Sequence, residues 1–163
     1  MRNKLRFIYT VVVVVLLLML YFIIFSFSAQ DGETSGSFSL TISRMGMKLW
    51  NGLTGGDWSS YMIEQMAAYF ENPIRKLAHF AEYGVMGFLI HSLWMCWRRT
   101  SRRWILYSVI WVFLSAVADE VHQYFVPGRS GNIPDVFLDT CGGVTGVFLC
   151  ILLVRLFKRI YRK

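Results

Sequence analysis

Apolar positions along the chain gather into four long runs separated by short charged or turn-rich breaks. A bilayer-spanning helix needs about 20 predominantly apolar residues. The first run covers about Phe7 to Phe27 and contains "VVVVVLLLML". The others cover about residues 73–97, 104–124 and 134–157. This pattern predicts an all-α polytopic membrane protein, a four-transmembrane-helix bundle. The first run ends in "SFSAQ", which resembles a signal-peptidase site. It is longer than the roughly 7–15 apolar residues of a signal peptide, so a retained anchor is expected. Each of the other three carries ionisable residues near one end.

The break at residues 28–72 is not a plain polar linker. Phe38, Ile42, Met45 and Leu49 recur at helical spacing, and so do Met62, Met66, Tyr69 and Phe70. Two short amphipathic helices lying along the outer interface are expected here, with Asp57 or Ser59 capping the second. "PGRSGNIP" is a turn-rich connection between the third and fourth runs. With no repeat in the chain, residues 1–163 read as a single domain.

Composition agrees with a membrane protein: 55% of the 163 residues are hydrophobic. The net charge of +7 would by itself admit nucleic acid, but the placement of the charges argues against it. Twelve of the seventeen basic residues lie in the N-terminus, the loop "WRRTSRRW" and the C-terminus. A four-span chain puts those three segments on one side, and none of the ten acidic residues falls there. The positive-inside rule then makes both termini cytoplasmic. The basic clusters read as topology signals and lipid contacts rather than a nucleic-acid surface. Cys96, Cys141 and Cys150 have no metal-type spacing and read as small buried hydrophobes.

The remaining charges converge. A helix turns about 100° and rises about 1.5 Å per residue. Arg75, His79 and Glu82 therefore share one face of the second span. Ser115, Asp119, His122 and Gln123 share a face of the third, with Glu120 somewhat aside. Asp135 and Asp139 lie one turn apart on the fourth, in a stripe continued by Gly142 and Gly146, a spacing that lets helices approach closely. All lie at similar depth in the outer leaflet. Facing lipid, each charge would cost about 2.5–3.5 kcal/mol, so they are expected to face one another or a wet cavity. The predicted site is one outward-opening polar pocket between spans two, three and four, closed from above by Gln30 and Arg129. A structural alternative pairs Arg75 or Lys76 with Asp135, and His79 with Glu82, as interhelical glue. Lys76 and Glu120, off the main faces, read equally well as snorkelling or loop-capping groups. His91 lies off the charged face and reads as a packing residue.

Three stretches resemble the VanZ-like family of bacterial membrane proteins. They are "FSAQDGETSGSFS", "RKLAHFAEYGVMG" and "DEVHQYFVPGRSGNIPDVFLDTCGG", in that order along nearly the whole chain. The matching positions include Gln30, Arg75, Lys76, His79, Glu82, Tyr83, Asp119, Glu120, Gln123, Pro127, Arg129, Asp135, Asp139 and Gly142. Met86 stands where the family usually has leucine. The resemblance implies a link to resistance against the glycopeptide teicoplanin and brings no settled biochemical activity.

Three functions follow as expectations. In the first, Arg75, Lys76 and Arg129 hold an anionic headgroup of a membrane lipid or lipid-linked cell-wall precursor, with Gln30, Glu120, His122 and Gln123 completing the binding site. Arginine suits phosphate because its planar fork makes paired contacts. A glycopeptide is a further conceivable partner. In the second, His79, Glu82, Asp119, Asp135 and Asp139 act as acids and bases, or hold a divalent cation, in a hydrolase or transferase working on a lipid-linked phosphate. No HExxH motif or nucleophile elbow supports that reading. In the third, the carboxylates relay protons in a small transporter, without the inverted repeats or broken spans of known transporter folds.

Overall fold

The structure, a computed structural model, describes residues 2–97 and 101–160. Arg98, Arg99, Arg162 and Lys163 of the basic clusters lie outside the described residues. Among the described residues there are five helices: α1 (Arg2–Ser28), α2 (Gly32–Leu53), α3 (Ser60–Trp97), α4 (Arg102–Tyr124) and α5 (Ile133–Ile160). The all-α expectation holds. Three stretches are long and apolar enough to cross a membrane: Asn3–Ser28, Arg102–Tyr124 and Ile133–Ile160. The protein is a multi-pass membrane protein. The stretch expected as the second span is not in that set; its part of α3 carries Arg75, Lys76, His79, Glu82, His91 and Ser92 among its apolar residues.

The helices pack by small residues. Extra apolar surface gains nothing inside lipid, so close van der Waals contact has to hold the bundle. A side chain at Gly142 would strike the Phe80 carbonyl, and one at Gly146 would strike that of Gly84. Residue numbers rise together across these contacts, so α3 and α5 run parallel with their backbones touching. The glycine stripe read from the sequence thus sets the tightest seam in the bundle. It also sets a register that brings His79 beside Asp139. Ile24, Tyr83, Met86, Ile90, Val112 and Ala116 form the apolar core between α1, α3 and α4. Most large residues of α1 remain exposed, as suits a lipid-facing helix.

The segment at residues 28–72 differs from expectation. α2 is 22 residues long, and the second amphipathic stretch is not a separate helix. It is the first part of α3, a continuous helix of 38 residues with Pro73 inside it rather than at its start. The ring removes one backbone donor, but tertiary contact on both sides carries the helix through. α2 lies along the early turns of α3. Ser43 Oγ donates to the Ala67 carbonyl at 2.7 Å, Ser39 Oγ donates to the Glu71 carboxylate, and Arg44 Nη2 donates to Glu64 Oε2 at 2.9 Å. Asp31 caps α2 by accepting from the Thr34 N–H at 2.7 Å, and Ser59 accepts from the Met62 N–H at 3.2 Å. Phe38, Ile42, Met45 and Leu49 stay exposed on the outside of this hairpin.

At the opposite end of the bundle, Trp94 stacks on Trp104 with ring centroids 4.4 Å apart, and Trp97 Nε1 donates to Thr10 Oγ1 at 2.7 Å. The start of α1, the end of α3 and the start of α4 therefore meet, and Arg6, Arg155 and Lys158 line one cavity at this end. His91 is fully buried with Nδ1 3.1 Å from Ser108 Oγ, a packing role as expected. The cysteines fit their reading less evenly: Cys150 is buried, Cys96 half-buried and Cys141 exposed.

Candidate functional site

The end of α1, the upper part of α3, the end of α4 and the start of α5 meet at the end of the bundle away from the basic clusters. A turn at residues 125–132 joins α4 to α5 and locks onto the α1–α2 junction. Arg129 Nη1 donates to the Phe27 carbonyl at 2.8 Å, and the Gly32 N–H donates to the Pro127 carbonyl at 3.1 Å. Gly128 has φ +73°, open to glycine without strain. A side chain at Gly32 would collide with the Gly128 carbonyl.

Beneath this latch lies a polar cavity of about 120 Å³. Arg75, Lys76, His79, Glu120, Gln123, Arg129, Asp135 and Asp139 all line it, so eight of the twelve predicted site residues surround one space. Gly32, Gly128, Ser130, Asn132 and Leu138 complete the wall. Sequence reading missed these five; the glycines flanking Gln30 and Arg129 were the available signal. Gln30 is not among the lining residues, although its Oε1 is buried without a partner. Glu82 lines no cavity here either.

Several charges are accounted for by structure. Lys76 Nζ donates to Asp135 Oδ1 at 2.6 Å, tying α3 to α5. Glu120 is buried and accepts the Asn132 N–H at 2.7 Å, which closes the α4–α5 turn, the capping role considered for it. Arg75 is held only loosely: it donates to Asn72 Oδ1 at 3.5 Å and stands 3.9 Å from the Glu71 carboxylate. Burial first, and the Arg75 charge second, pull the Arg129 guanidinium below its ordinary value. Two arginines thus share the cavity mouth, and a guanidinium remains charged there.

Deeper in, partners run out. His79 Nδ1 stands 3.9 Å from Asp139 Oδ2, beyond hydrogen-bond reach. The His79–Glu82 pair considered as glue is not formed. Asp139 is fully buried and neither of its oxygens has a hydrogen bond. Asp119, also buried, accepts from Gln123 Nε2 at 3.0 Å, and the same amide reaches Ser28 Oγ at 3.3 Å. One ligand-type atom from each of His79, Asp119 and Asp139 lies within 4.8 Å of the others. These three residues could hold a metal ion.

A second cavity, of about 450 Å³, lies on the other side of Asp119. Tyr21, Ile24 and Phe25 of α1 line it with Trp111, Leu114, Ser115 and His122 of α4. It is mostly apolar. His122 belongs to this space rather than to the polar one; its ring stacks on Phe25 at 4.5 Å, and its Nε2 is buried without a partner. Asp119 and Gln123, bonded to each other, form the wall between the two cavities.

The sequence profile of the VanZ/LLP1 family matches residues 12–155. The chain belongs to that family. No curated protein and no solved structure matches it. The matched range takes in all three motif stretches and every site residue named above. In this VanZ/LLP1 protein the motif positions at Arg75, Lys76, His79, Glu120, Gln123, Arg129, Asp135 and Asp139 meet around one cavity, while Gly142 acts below it by letting α3 and α5 touch.

Proposed function

We propose that this VanZ/LLP1 family member binds the anionic headgroup of a membrane lipid or lipid-linked cell-wall precursor at the outer face of the bacterial cell membrane. Its contribution to teicoplanin resistance, or to modification of the envelope, runs through that binding. One observation carries the reading: a small polar cavity with Arg75 and Arg129 at its mouth stands back to back with a larger apolar cavity between α1 and α4. A phosphate oxygen suits the first space and a hydrocarbon chain the second. The polar space, about 120 Å³, is far smaller than a whole glycopeptide, which favours a headgroup. The chain then crosses the membrane four times, with the lower part of α3 as second span and both termini cytoplasmic. The exposed apolar face of α2 meets the outer leaflet.

Arg75 is the sensitive position, because its guanidinium has only a long hydrogen bond to Asn72 Oδ1, at 3.5 Å, and a 3.9 Å approach to Glu71 to lose. Arg75→Ala is expected to weaken binding of phosphatidic acid or undecaprenyl phosphate in nanodiscs by about 10-fold or more, as befits a charge-assisted contact, while the protein stays folded. Unchanged affinity in a folded variant would refute the headgroup reading.

A second reading, a hydrolase or transferase on a lipid-linked phosphate, is favoured by the convergence of His79, Asp119 and Asp139 below the cavity. Its test is turnover of lipid phosphates by the purified protein with divalent metal supplied. No release of phosphate or transfer product under those conditions removes it.

A further inference from the structure

We propose that His79, Asp119 and Asp139 form a binding site for one divalent transition-metal ion, with an open coordination position facing the polar cavity. Each ligand comes from a different helix: His79 from α3, Asp119 from α4 and Asp139 from α5. The ion would join the three helices at the deepest point of the site.

The first argument is the state of Asp139. It has no exposure to solvent and no hydrogen bond at either oxygen. A buried carboxylate needs a partner, because burying an ion without one is costly. A protonated Asp139 would still need an acceptor for its O–H, and none is in reach. A charged His79 would need to be nearer than 3.9 Å to form a hydrogen bond. A cation between the three groups satisfies His79 Nδ1 and an oxygen of each aspartate together.

The second argument is spacing. The three ligand atoms lie within 4.8 Å of one another, and His79 Nδ1 and Asp139 Oδ2, 3.9 Å apart, are beyond a direct hydrogen bond. An ion about 2.0–2.2 Å from each nitrogen or oxygen sets ligands about 3–3.5 Å apart. Small side-chain rotations close the difference. One imidazole with two carboxylates suits zinc or manganese, whereas sites for calcium and magnesium are built from oxygen alone.

The third argument is the surroundings. Gln123 holds one oxygen of Asp119 and leaves the other free, an outer contact that orients a metal ligand. Glu120, Asp135 and Asp139 line the polar cavity together with Arg75, Lys76 and Arg129. His79 and Asp139 both line the polar cavity, so the open position points toward Arg75 and Arg129. Three protein ligands and one open position are the arrangement that metal sites use to take up an anionic oxygen.

The test uses full-length protein in detergent, stripped with chelator and titrated separately with Zn²⁺, with Mn²⁺ and with Mg²⁺. Calorimetry should show one high-affinity ion per chain, and thermal unfolding should shift upward on loading. Asp139→Asn and His79→Gln should each weaken binding by about 10–100-fold. Glu64→Gln, on the hairpin of α2 and the start of α3, should bind as the wild type does. Because Asp139→Asn removes an unpartnered charge, it should remain folded without metal, which separates lost binding from lost structure. No stoichiometric binding of either ion by the wild type would overturn the proposal, and so would full binding by Asp139→Asn or binding of Mg²⁺ alone. The inference does not depend on the headgroup reading: protein that binds the ion but no lipid phosphate refutes only the latter.

Discussion

Asp139 faces His79 across 3.9 Å, at the centre of the bundle, with neither side chain hydrogen-bonded at the facing atoms. The approach is a consequence of packing. Glycine contacts below it press α3 against α5, and the fixed register delivers both groups to one point. Stability alone does not explain it, since an unpartnered buried acceptor costs about 1–3 kcal/mol or more if charged.

Neutralising Asp139 in chelator-treated protein should therefore stabilise it. Asp139→Leu, which removes both unpartnered oxygens, is expected to raise the unfolding free energy by about 1–3 kcal/mol, read from thermal unfolding in detergent. A drop in Tm would instead mean that Asp139 serves as structural glue.

The seam beneath the site should tolerate no added bulk. Gly142→Ala is expected to cost about 1–3 kcal/mol through overpacking against Phe80. Gly146→Leu should prevent assembly of α3 on α5, lowering the yield of folded protein. A Gly146→Leu protein with unchanged Tm would show that the helices do not touch there.

The ion pair between Lys76 and Asp135 is partly exposed, so it should matter little for stability, about 1 kcal/mol or less. Its removal should change the site more than the fold. In Lys76→Met, Asp135 loses its cation, and anion binding should weaken while Tm moves by only a few degrees. The exchange Lys76→Asp with Asp135→Lys should recover most of the lost binding. Failure of both variants to fold would mark the pair as structural.

Acid should loosen the hairpin of α2 and the start of α3. Hydrogen bonding from Arg44 holds the Glu64 carboxyl below its usual value of 4.5. A depressed acid contributes stability that is complete above the unfolded value and is lost as pH falls through the folded one. Hydrogen exchange of α2 amides should accelerate as pH drops below about 4.5, after correction for the intrinsic rate. Glu64→Gln should show the looser hairpin already at neutral pH and no further acid step. Asp31, lowered by its bond to the Thr34 N–H, should behave likewise at the start of α2.

The orientation can be checked at the α4–α5 turn. In a cysteine-free background, Ser130→Cys should label with a membrane-impermeant maleimide on intact cells. Labelling only after permeabilisation would reverse the proposed topology.

Much of this protein was legible in its residues alone. Apolar runs must become lipid-crossing helices, because backbone polar groups have no other partner in a bilayer. Helical spacing then puts His79, Asp119 and Asp139 on inward faces, because lipid would not accept them. The glycine stripe at Gly142 and Gly146 announced a close seam. Local pattern did not show that α3 passes through Pro73, since contacts from α2 sustain a helix that propensity would stop. It did not separate His122 from His79 either; the packing of α1 beside α4 gives His122 a different cavity. Nor could it show that Lys76 and Glu120 already have partners while Asp139 has none. Partnership depends on distances between helices, and those come only from how the helices pack.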